Sequence, residues 1–272
     1  RVRGDRAVPY RGLGMTTLRS FAEMETMHRA CSIVVETLAI LAEHTKPGVS
    51  TKELDRVAAE NLRKRGAKPA FLGYHGFPAT LCVSVNEEVV HGIPGKRVLK
   101  EGDIVGLDFG AIVDGYYGDA ARTVAVGQVS PEALRLMKVT EESLHRAIEV
   151  MHPGKRLGDI GHAVESHAEK HGYTVVRELS GHGIGRKLHE DPQVPNYGPP
   201  GKRARIDAGM CLAIEPMVNA GRAATRILDD NWTVVTEDKS LSAHYELTIA
   251  VTEHGPWVLS EPYPFAQSVR HA

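Results

Sequence analysis

The sequence predicts an α+β fold, a pseudo-twofold sandwich in which helices pack on a curved antiparallel β-sheet. Three observations lead to this prediction. Helical spacing and strand-like segments occur in separate blocks along the chain. The dipeptide Asp114-Gly115, a strong type I′ turn signal, lies between two segments rich in Val, Ile, Tyr and Thr. The order helix, helix, strands then occurs twice, in halves of about 20–125 and 131–250.

The first half begins with two segments of helical spacing. Apolar residues spaced by three or four predict a helix over residues 20–45, which Pro47-Gly48 ends. Ser50 begins a second helix, with Glu53 three residues later in a capping-box pattern, and Gly66 ends it. Two helices therefore precede the first strands.

The second half repeats this order. Residues 131–152 and 156–171 show helical spacing, and strands with Gly- and Pro-rich loops follow from Thr174 to about Leu259. An offset of 106 residues, with a later slip of one, aligns the halves. The aligned segments are Pro47-Gly48 with Pro153-Gly154, Glu53-Leu54 with Asp159-Ile160, Gly66 with Gly172, His75-Gly76 with His182-Gly183, and Gly102…Asp108 with Gly209…Glu215. A duplication with a site where the halves meet is the simplest interpretation.

The hairpin at Asp114-Gly115 places two carboxylates together. If these residues form the turn, residue 113 pairs with 116 and residue 110 pairs with 119. Because side chains alternate between faces, Asp108 then shares a face with Asp119, as a diagonal neighbour roughly 7–8 Å away at the backbone. Two carboxylates among apolar residues resist ionising unless a cation lies between them. The alternative is a solvated hairpin whose acids happen to alternate.

Two further acids and one histidine extend this pattern. Glu215 and Glu246 interrupt strongly apolar strands, where an unpaired carboxylate costs several kcal/mol. His182 lies among three glycines, whose small size permits close approach of the backbone. Each feature alone has an ordinary explanation, an ion pair or a flexible loop. Together with Asp108 and Asp119 they are the ligand set of a two-metal site, suited to Mn²⁺, Fe²⁺, Co²⁺ or Zn²⁺.

Composition excludes several classes of function. The formal charge is −1 and the pI about 7.0, which gives no argument for a nucleic-acid or anionic-membrane partner. No apolar run approaches the roughly 18–20 residues of a membrane helix, and the Arg-rich start lacks the apolar core of a secretory signal. Cys31, Cys82 and Cys211 form no disulfide or CxxC pattern, which favours a reducing cytoplasm.

The ends of the chain carry no periodic pattern. Residues 1–14 are expected to be a tail, either a native basic segment or a remnant of cloning, and residues 261–272 are expected to be loose. Residues 15–260 are expected to form a single catalytic domain that contains both halves.

Ordered motifs from about Met15 to Leu259 resemble those of the type I, bacterial methionine aminopeptidases, which have the pita-bread fold. The motifs that carry this resemblance are Gly73-Tyr-His-Gly-Phe-Pro, Ser84-Val-Asn-Glu-Glu-Val-Val-His91-Gly-Ile-Pro, Leu107-Asp-Phe-Gly, Gly118-Asp, Ser180-Gly-His-Gly-Ile-Gly, His189-Glu-Asp-Pro, Ile214-Glu-Pro-Met-Val-Asn and Asp230-Asn-Trp. Their number, order and spacing make the resemblance specific.

The resemblance implies a role for each site residue. Asp108 would bind one of two divalent ions, Asp119 and Glu246 would bridge both, and His182 and Glu215 would complete the second. A metal-bridging water would attack the first peptide carbonyl, with Glu215 as its base. His189 would stabilise the oxyanion and His91 would contact the scissile amide. The side chains implied to line the methionine pocket are Tyr74, Phe77, Cys82, Met217 and Trp232.

The chain also departs from this family. At positions 244 and 247, where Gln and His are common, it has His244 and Leu247, which changes the surroundings of Glu246. Phe71 replaces a residue that is often smaller, so a narrower methionine pocket is expected.

The resemblance implies a cytoplasmic, metal-dependent aminopeptidase that removes the initiator methionine when the second residue is small. Its substrates would be nascent polypeptide N-termini, with the ribosome as a candidate place of encounter, and a monomer is expected. Two alternatives remain. An X-Pro-cleaving aminopeptidase or a creatinase of the same fold would be expected to carry a substantial N-terminal domain, which these 272 residues are not expected to hold. A binding module that keeps the fold without chemistry would be expected to have lost ligands.

Overall fold

Two pairs of helices form close to the predicted bounds in the computed structural model of the protein, which describes residues 16–260. The tails predicted at residues 1–14 and 261–272 lie outside the described residues. The helices are α1 (Phe21–His44), α2 (Thr51–Arg65), α3 (Pro131–Glu149) and α4 (Leu157–Lys170). None of the helices described is both long and apolar enough to span a bilayer.

Side chains of the first turn explain where the first two helices begin. Ser20 and Glu23 form a reciprocal capping box at the start of α1, a cap that was not predicted. Ser50 caps α2 by accepting from the Glu53 N–H at 3.2 Å. The Glu53 carboxylate instead accepts from Arg56 at 2.5 Å, so only half of the predicted box forms.

All paired strands in the described part of the chain are antiparallel, and they form several sheets rather than one. The largest has the order β15-β14-β9-β7-β8, and a second joins β4 to β1, β2 and β5. Two three-stranded sheets have the orders β13-β10-β6 and β11-β12-β3. The strands are β1 (Lys68–Pro69), β2 (Leu81–Val85), β3 (Glu88–Val90), β4 (Ile104–Val113), β5 (Tyr116–Ala125), β6 (Thr174–Val175), β7 (Ser180–Gly183), β8 (Glu190–Pro195), β9 (Cys211–Ile214), β10 (Met217–Asn219), β11 (Thr225–Ile227), β12 (Val234–Thr236), β13 (Ser242–His244), β14 (Leu247–Thr252) and β15 (Gly255–Val258).

The same backbone hydrogen bonds hold the helix pairs of both halves. The Gly48 N–H donates to Leu99 at 2.8 Å, and the aligned Gly154 N–H donates to Ile206 at 2.9 Å. A matching pair of bonds joins Thr51 to Arg97 and Leu157 to Ala204. One predicted pair does not match, because His75-Gly76 lies in a 3₁₀ turn (Tyr74–Gly76) whereas His182-Gly183 belongs to β7.

Each helix pair covers its own apolar core. Helices α1 and α2 pack against β2, β4 and β5 around residues such as Leu54 and Phe109. Helices α3 and α4 pack against β9, β13 and β14 around residues such as Ile160 and Ile249. The α+β class and the two helix pairs are therefore as predicted. Between the cores, Ala121 and Glu246 exchange two backbone hydrogen bonds of 3.1 and 2.8 Å, which join β5 to the start of β14.

Candidate active site

The hairpin β4–β5 has the predicted register. Gly110 lies opposite Asp119, and Val113 lies opposite Tyr116. The turn residues Asp114 and Gly115 both have positive φ, at 50° and 78°, as a type I′ turn requires. Asp108 and Asp119 therefore share one face of the sheet, and both side chains line the same cavity.

That cavity has a volume of about 100 Å³ and lies where the two halves meet. Its lining combines polar and apolar residues. Its polar lining comprises Asp108, Asp119, His182, Glu215, Glu246, His91 and His189, and its apolar lining comprises Phe71, Tyr74, Phe77, Cys82, Leu188 and Trp232. All five sequence-predicted metal ligands thus reach one cavity, although they come from positions 108 to 246.

Four of the polar residues form what we call the carboxylate cluster: Asp108, Asp119, Glu215 and Glu246. Burial raises the pKa of Asp108 to about 7 and raises the pKa of the other three well above their ordinary values. Repulsion among the acids adds to the effect of burial on Asp119, Glu215 and Glu246. Oδ1 of Asp108, Oδ1 of Asp119 and Oε1 of Glu246 are buried without a hydrogen-bond partner among the described residues. Such a cluster fits divalent cations, which would neutralise its charge and occupy its free oxygens.

His182 supplies the nitrogen side of the site. Its Nδ1 lies 2.9 Å from the carbonyl oxygen of Gly183, which can only accept, so Nδ1 carries the proton. Burial lowers the pKa of His182 to about 3, with a smaller effect from His189, which keeps the ring neutral. Its Nε2 therefore presents a lone pair 3.6 Å from Oε1 of Glu215 and 3.9 Å from Oε1 of Glu246.

Glycines let neighbouring strands approach His182 closely. A Cβ on Gly181 would lie 2.4 Å from the Ala213 carbonyl oxygen, and a Cβ on Gly183 would lie 2.3 Å from that of Asp191. A larger residue at either position would push β7 away from β8 or β9. The Gly-rich sequence around His182 thus corresponds to a tightly packed strand and not to a flexible loop.

Two further histidines stand beside the cluster. The ring of His189 lies 4.2 Å from that of His182, and its Nδ1 lies 2.6 Å from the Tyr74 hydroxyl. Burial lowers the pKa of His189, with a smaller contribution from His75. His91 stands edge-on to Trp232, and burial lowers its pKa to about 4. Both rings are therefore neutral near pH 7, and each can donate one hydrogen bond and accept another.

The predicted substrate residues are brought together with one exception. Tyr74, Phe77, Cys82 and Trp232 line the cavity, and Phe77 meets Trp232 edge-to-face at 5.1 Å. Met217 does not line this cavity. It is fully buried in a separate apolar cluster with Val89, Val90, Val176 and Val234.

Two cavity residues were not among the predicted site residues. Leu188 is buried beside His189. A leucine in the sequence does not reveal whether it packs in the core or lines a cavity, so no signal could have found it. Phe71 was noted only as a departure in size. It lies so close to Gly110 that a Cβ there would come within 2.8 Å of its ring. A glycine opposite an aromatic residue is the signal that would have placed Phe71 beside the hairpin.

Comparisons with known proteins agree in the kind of enzyme they identify. The sequence profile of metallopeptidase family M24 matches residues 25–253. A methionine aminopeptidase of Clostridium acetobutylicum is 51% identical over 247 residues, which are 90% of this chain and 99% of that protein.

Solved structures extend this likeness to the fold. The crystal structure of methionine aminopeptidase from Rickettsia prowazekii superposes with a TM-score of 0.90 at 43% identity, over 91% of this chain and all of that one. A prolidase from Pyrococcus horikoshii matches with a TM-score of 0.73 at 22% identity, over 91% of this chain and 64% of that one. At that identity the likeness to prolidase shows the fold alone.

Proposed function

We propose that this chain, which belongs to metallopeptidase family M24, is a methionine aminopeptidase that removes the initiator methionine from polypeptides with a small second residue. The observation that carries the proposal is the meeting of the carboxylate cluster and His182 with an apolar pocket in one cavity. Hydrolysis of the peptide bond after an apolar N-terminal residue requires metal ligands, here acids and an imidazole, beside an apolar pocket for the side chain.

The family uses divalent metal, and the site offers suitable ligands. We assign two ions to this site, held by the carboxylate cluster and His182, with Mn²⁺, Fe²⁺, Co²⁺ and Zn²⁺ as candidates. Asp108 would bind one ion, His182 and Glu215 the other, and Asp119 and Glu246 both. The support is that burial and mutual repulsion leave these carboxyls poorly able to ionise unless cations balance them.

Bound ions would supply a water that ionises near neutral pH and would polarise the peptide carbonyl. Side chains of the protein would accept and donate the protons of the reaction. Glu215 would accept the proton of the attacking water, since its carboxylate lines the cavity beside His182 and would be ionised once cations balance the cluster.

The neighbouring histidines would act on the substrate. His189 would donate a hydrogen bond from Nε2 to the carbonyl oxygen as negative charge develops there, because the Tyr74 hydroxyl engages its Nδ1 at 2.6 Å. His91 contacts the scissile amide from the Trp232 side of the cavity.

The apolar side of the cavity would hold the methionine side chain. Tyr74, Phe77, Cys82 and Trp232 form its walls, and Phe71 narrows it. Met217 takes no part, since it packs in its own cluster. Enclosure of the pocket by Tyr74, Phe77 and His91 would leave little space beyond the methionine side chain, which favours a small second residue such as Ala, Gly or Ser.

The natural substrates would be nascent polypeptide N-termini in the cytoplasm, met at or near the ribosome by a monomeric enzyme. The near-zero charge gives no basis for a nucleic-acid partner. Three free, buried cysteines among the described residues suit a reducing compartment.

The test is a comparison of peptides with and without a chelator. Met-Ala-Ser should release methionine rapidly, whereas Met-Leu-Ser and Met-Lys-Ser should release it slowly. Peptides in which a residue other than methionine precedes proline should not be cleaved faster than Met-Ala-Ser. Chelation should abolish activity, and Mn²⁺ or Co²⁺ should restore it. Preferred cleavage before proline would support an X-Pro enzyme instead, and full activity in a metal-free sample would refute the metal assignment.

A further inference from the structure

His244 lies directly behind Glu215 and Glu246 of the carboxylate cluster, although no role has been assigned to it. It is the last residue of β13 and lies opposite Met217 in β10. Residues two apart share a face of an extended chain, so His244 points to the same side as Glu246. The intervening Tyr245 packs into the core under α3 and α4. The imidazole of His244 is 3% exposed, buried beside the carboxylate cluster.

The distances around His244 repeat those around His182. Nε2 of His182 lies 3.6 Å from Oε1 of Glu215 and 3.9 Å from Oε1 of Glu246. Nε2 of His244 lies 3.7 Å from Oε2 of Glu215 and 3.9 Å from Oε2 of Glu246. Each glutamate therefore turns one oxygen toward each histidine, and two imidazole nitrogens flank the same pair of carboxylates.

These distances suit ligands that share a cation better than direct hydrogen bonds. A hydrogen bond from an imidazole to a carboxylate is about 2.7–3.2 Å long, shorter than either separation at His244. Two donor atoms each about 2.0–2.2 Å from one ion lie more than 3 Å apart. In addition, Nε2 of His244 is buried and has no hydrogen-bond partner among the described residues, which is costly unless something binds it.

We propose that His244 is an additional protein ligand of the metal centre, which binds through Nε2 together with Glu215 and Glu246. Glu215, His244 and Glu246 place their donor atoms within 4.8 Å of one another, as do Asp119, His182 and Glu246. The centre of this chain then has two nitrogen donors instead of one. A second imidazole shifts the preference from hard cations toward Zn²⁺, Co²⁺ and other metals that favour nitrogen. This inference rests on the metal site proposed above.

The test compares Zn²⁺ binding to the wild-type protein and to His244→Gln, measured by competition with a chromophoric chelator. Glutamine keeps a polar side chain but lacks the imidazole lone pair. We expect about 10–100-fold weaker Zn²⁺ binding, the range seen when groups around a metal are removed.

His28→Gln is the matched control. Nε2 of His28 is also buried without a hydrogen-bond partner, but its Nδ1 bonds the Leu259 carbonyl oxygen and its ring lies beside Trp257. This variant should bind Zn²⁺ as the wild type does.

A second measurement needs no variant of His244. Long-range ¹H–¹⁵N spectra of the wild-type histidine rings, recorded with and without Zn²⁺, show whether Nε2 carries a proton or a metal. We expect metal-bound Nε2 at both His182 and His244. A retained Nε2–H at His244 beside a metal-bound His182, or unchanged Zn²⁺ affinity in His244→Gln, would overturn this inference and leave the proposed function intact. A wild-type protein that binds no Zn²⁺, Mn²⁺ or Co²⁺ would overturn both.

Discussion

The two halves of the molecule share a backbone frame but carry different chemistry. In the first half Leu107 lies opposite Arg122, and in the second half Ile214 lies opposite Leu247. The next register position therefore holds Asp108 and Ala121 in one half and Glu215 and Glu246 in the other. An acidic residue occurs once at this position in the first half and twice in the second. The comparison shows that hydrogen bonds preserve the frame while single side chains decide what it can bind.

The halves also differ in how long their strands run. β4 and β5 extend for 10 residues each, whereas β9 has 4 and β14 has 6. Pro216 follows Glu215 and has no N–H to donate, so β9 ends at Ile214 and the chain turns into β10. This interruption brings β13, and with it His244, against the carboxylate cluster.

The largest effect should come from replacing the aligned acids Asp108 and Glu215. Asp108→Asn and Glu215→Gln should each lower kcat/KM by about 10³-fold or more, since the bound ions supply several kcal/mol of transition-state stabilisation. If the proposed roles hold, excess Mn²⁺ should partly rescue Asp108→Asn, which would lose only a ligand, but not Glu215→Gln, which would also lose the base. Steady-state assays over a metal titration measure this.

The exposed Glu169→Gln on α4 serves as the control and should retain wild-type kinetics. Rescue of Glu215→Gln but not of Asp108→Asn would mean that the roles of the two halves are reversed.

Substitutions of two histidines in the second half should impair activity for different reasons. His189→Ala should keep its metal and its KM but lose about 10²–10³ in kcat, because its hydrogen bond forms mainly in the transition state. His182→Ala should bind metal more weakly and recover partly in excess metal. Calorimetric metal titration beside kcat and KM separates them, and metal loss in His189→Ala with retention in His182→Ala would show that the two roles are interchanged.

The aligned core residues Leu54 and Ile160 test whether both halves support one cooperative fold. Both are fully buried, and each alanine variant should cost about 2–5 kcal/mol in the free energy of unfolding. Urea denaturation of the metal-loaded protein measures the cost. Leu134→Ala, at a position that is 53% exposed, should change it by less than about 0.5 kcal/mol. A biphasic transition in one core variant would show that the halves unfold separately.

The pH dependence of the metal-free protein separates the acids from the histidines. Folding raises the pKa of every acid in the carboxylate cluster, so their stabilising contribution is present at low pH and is lost as pH rises through the folded values. The buried His182 and His244, with pKa lowered to about 3, act in the opposite sense only below about pH 6.5.

Between pH 7 and 9 the acids therefore act together with the buried thiols of Cys31, Cys82 and Cys211, whose pKa is also raised by burial. The free energy of unfolding of the metal-free protein should fall over this range, and that of the Mn²⁺-loaded protein should fall less, because bound metal would favour the ionised form of the acids but not of the thiols. Asp108→Asn, with one titrating carboxyl fewer, should show a smaller fall. Denaturant midpoints at both pH values measure the effect, and a metal-free protein that becomes more stable toward pH 9 would contradict it.

The smallest effect concerns the glycines that end α2 and α4. Gly66 and Gly172 have φ of 67° and 83°, and a Cβ on either would meet no atom within 4 Å. Alanine at each should cost about 1 kcal/mol through the left-handed backbone alone, equally in both halves. Gly95→Ala, where φ is not positive and the nearest atom is 3.9 Å away, is the control. Unequal losses in the thermal unfolding free energy would mean that the two helix ends are packed differently.

Local chemistry explains what the sequence by itself determined. The Asp114-Gly115 turn set the register that puts Asp108 and Asp119 on one face, because a two-residue loop leaves a hairpin one pairing. Apolar spacing and caps predicted all four helices of the described residues to within a few positions. Glu215 and Glu246 could be predicted as site residues because each interrupts an apolar segment, where a buried charge needs a partner.

Only the tertiary structure decided where side chains from distant segments meet. Met217 follows Glu215 by two residues and was expected to line the cavity, yet Pro216 turns the chain and buries it with Val89 and Val234. His244 showed nothing in its own segment beyond a departure from related sequences. Its position beside Glu215 depends on the pairing of β10 with β13, residues 217–219 with 242–244. Such contacts join residues far apart in sequence, and their geometry is set by the packing of whole sheets, which no local pattern encodes.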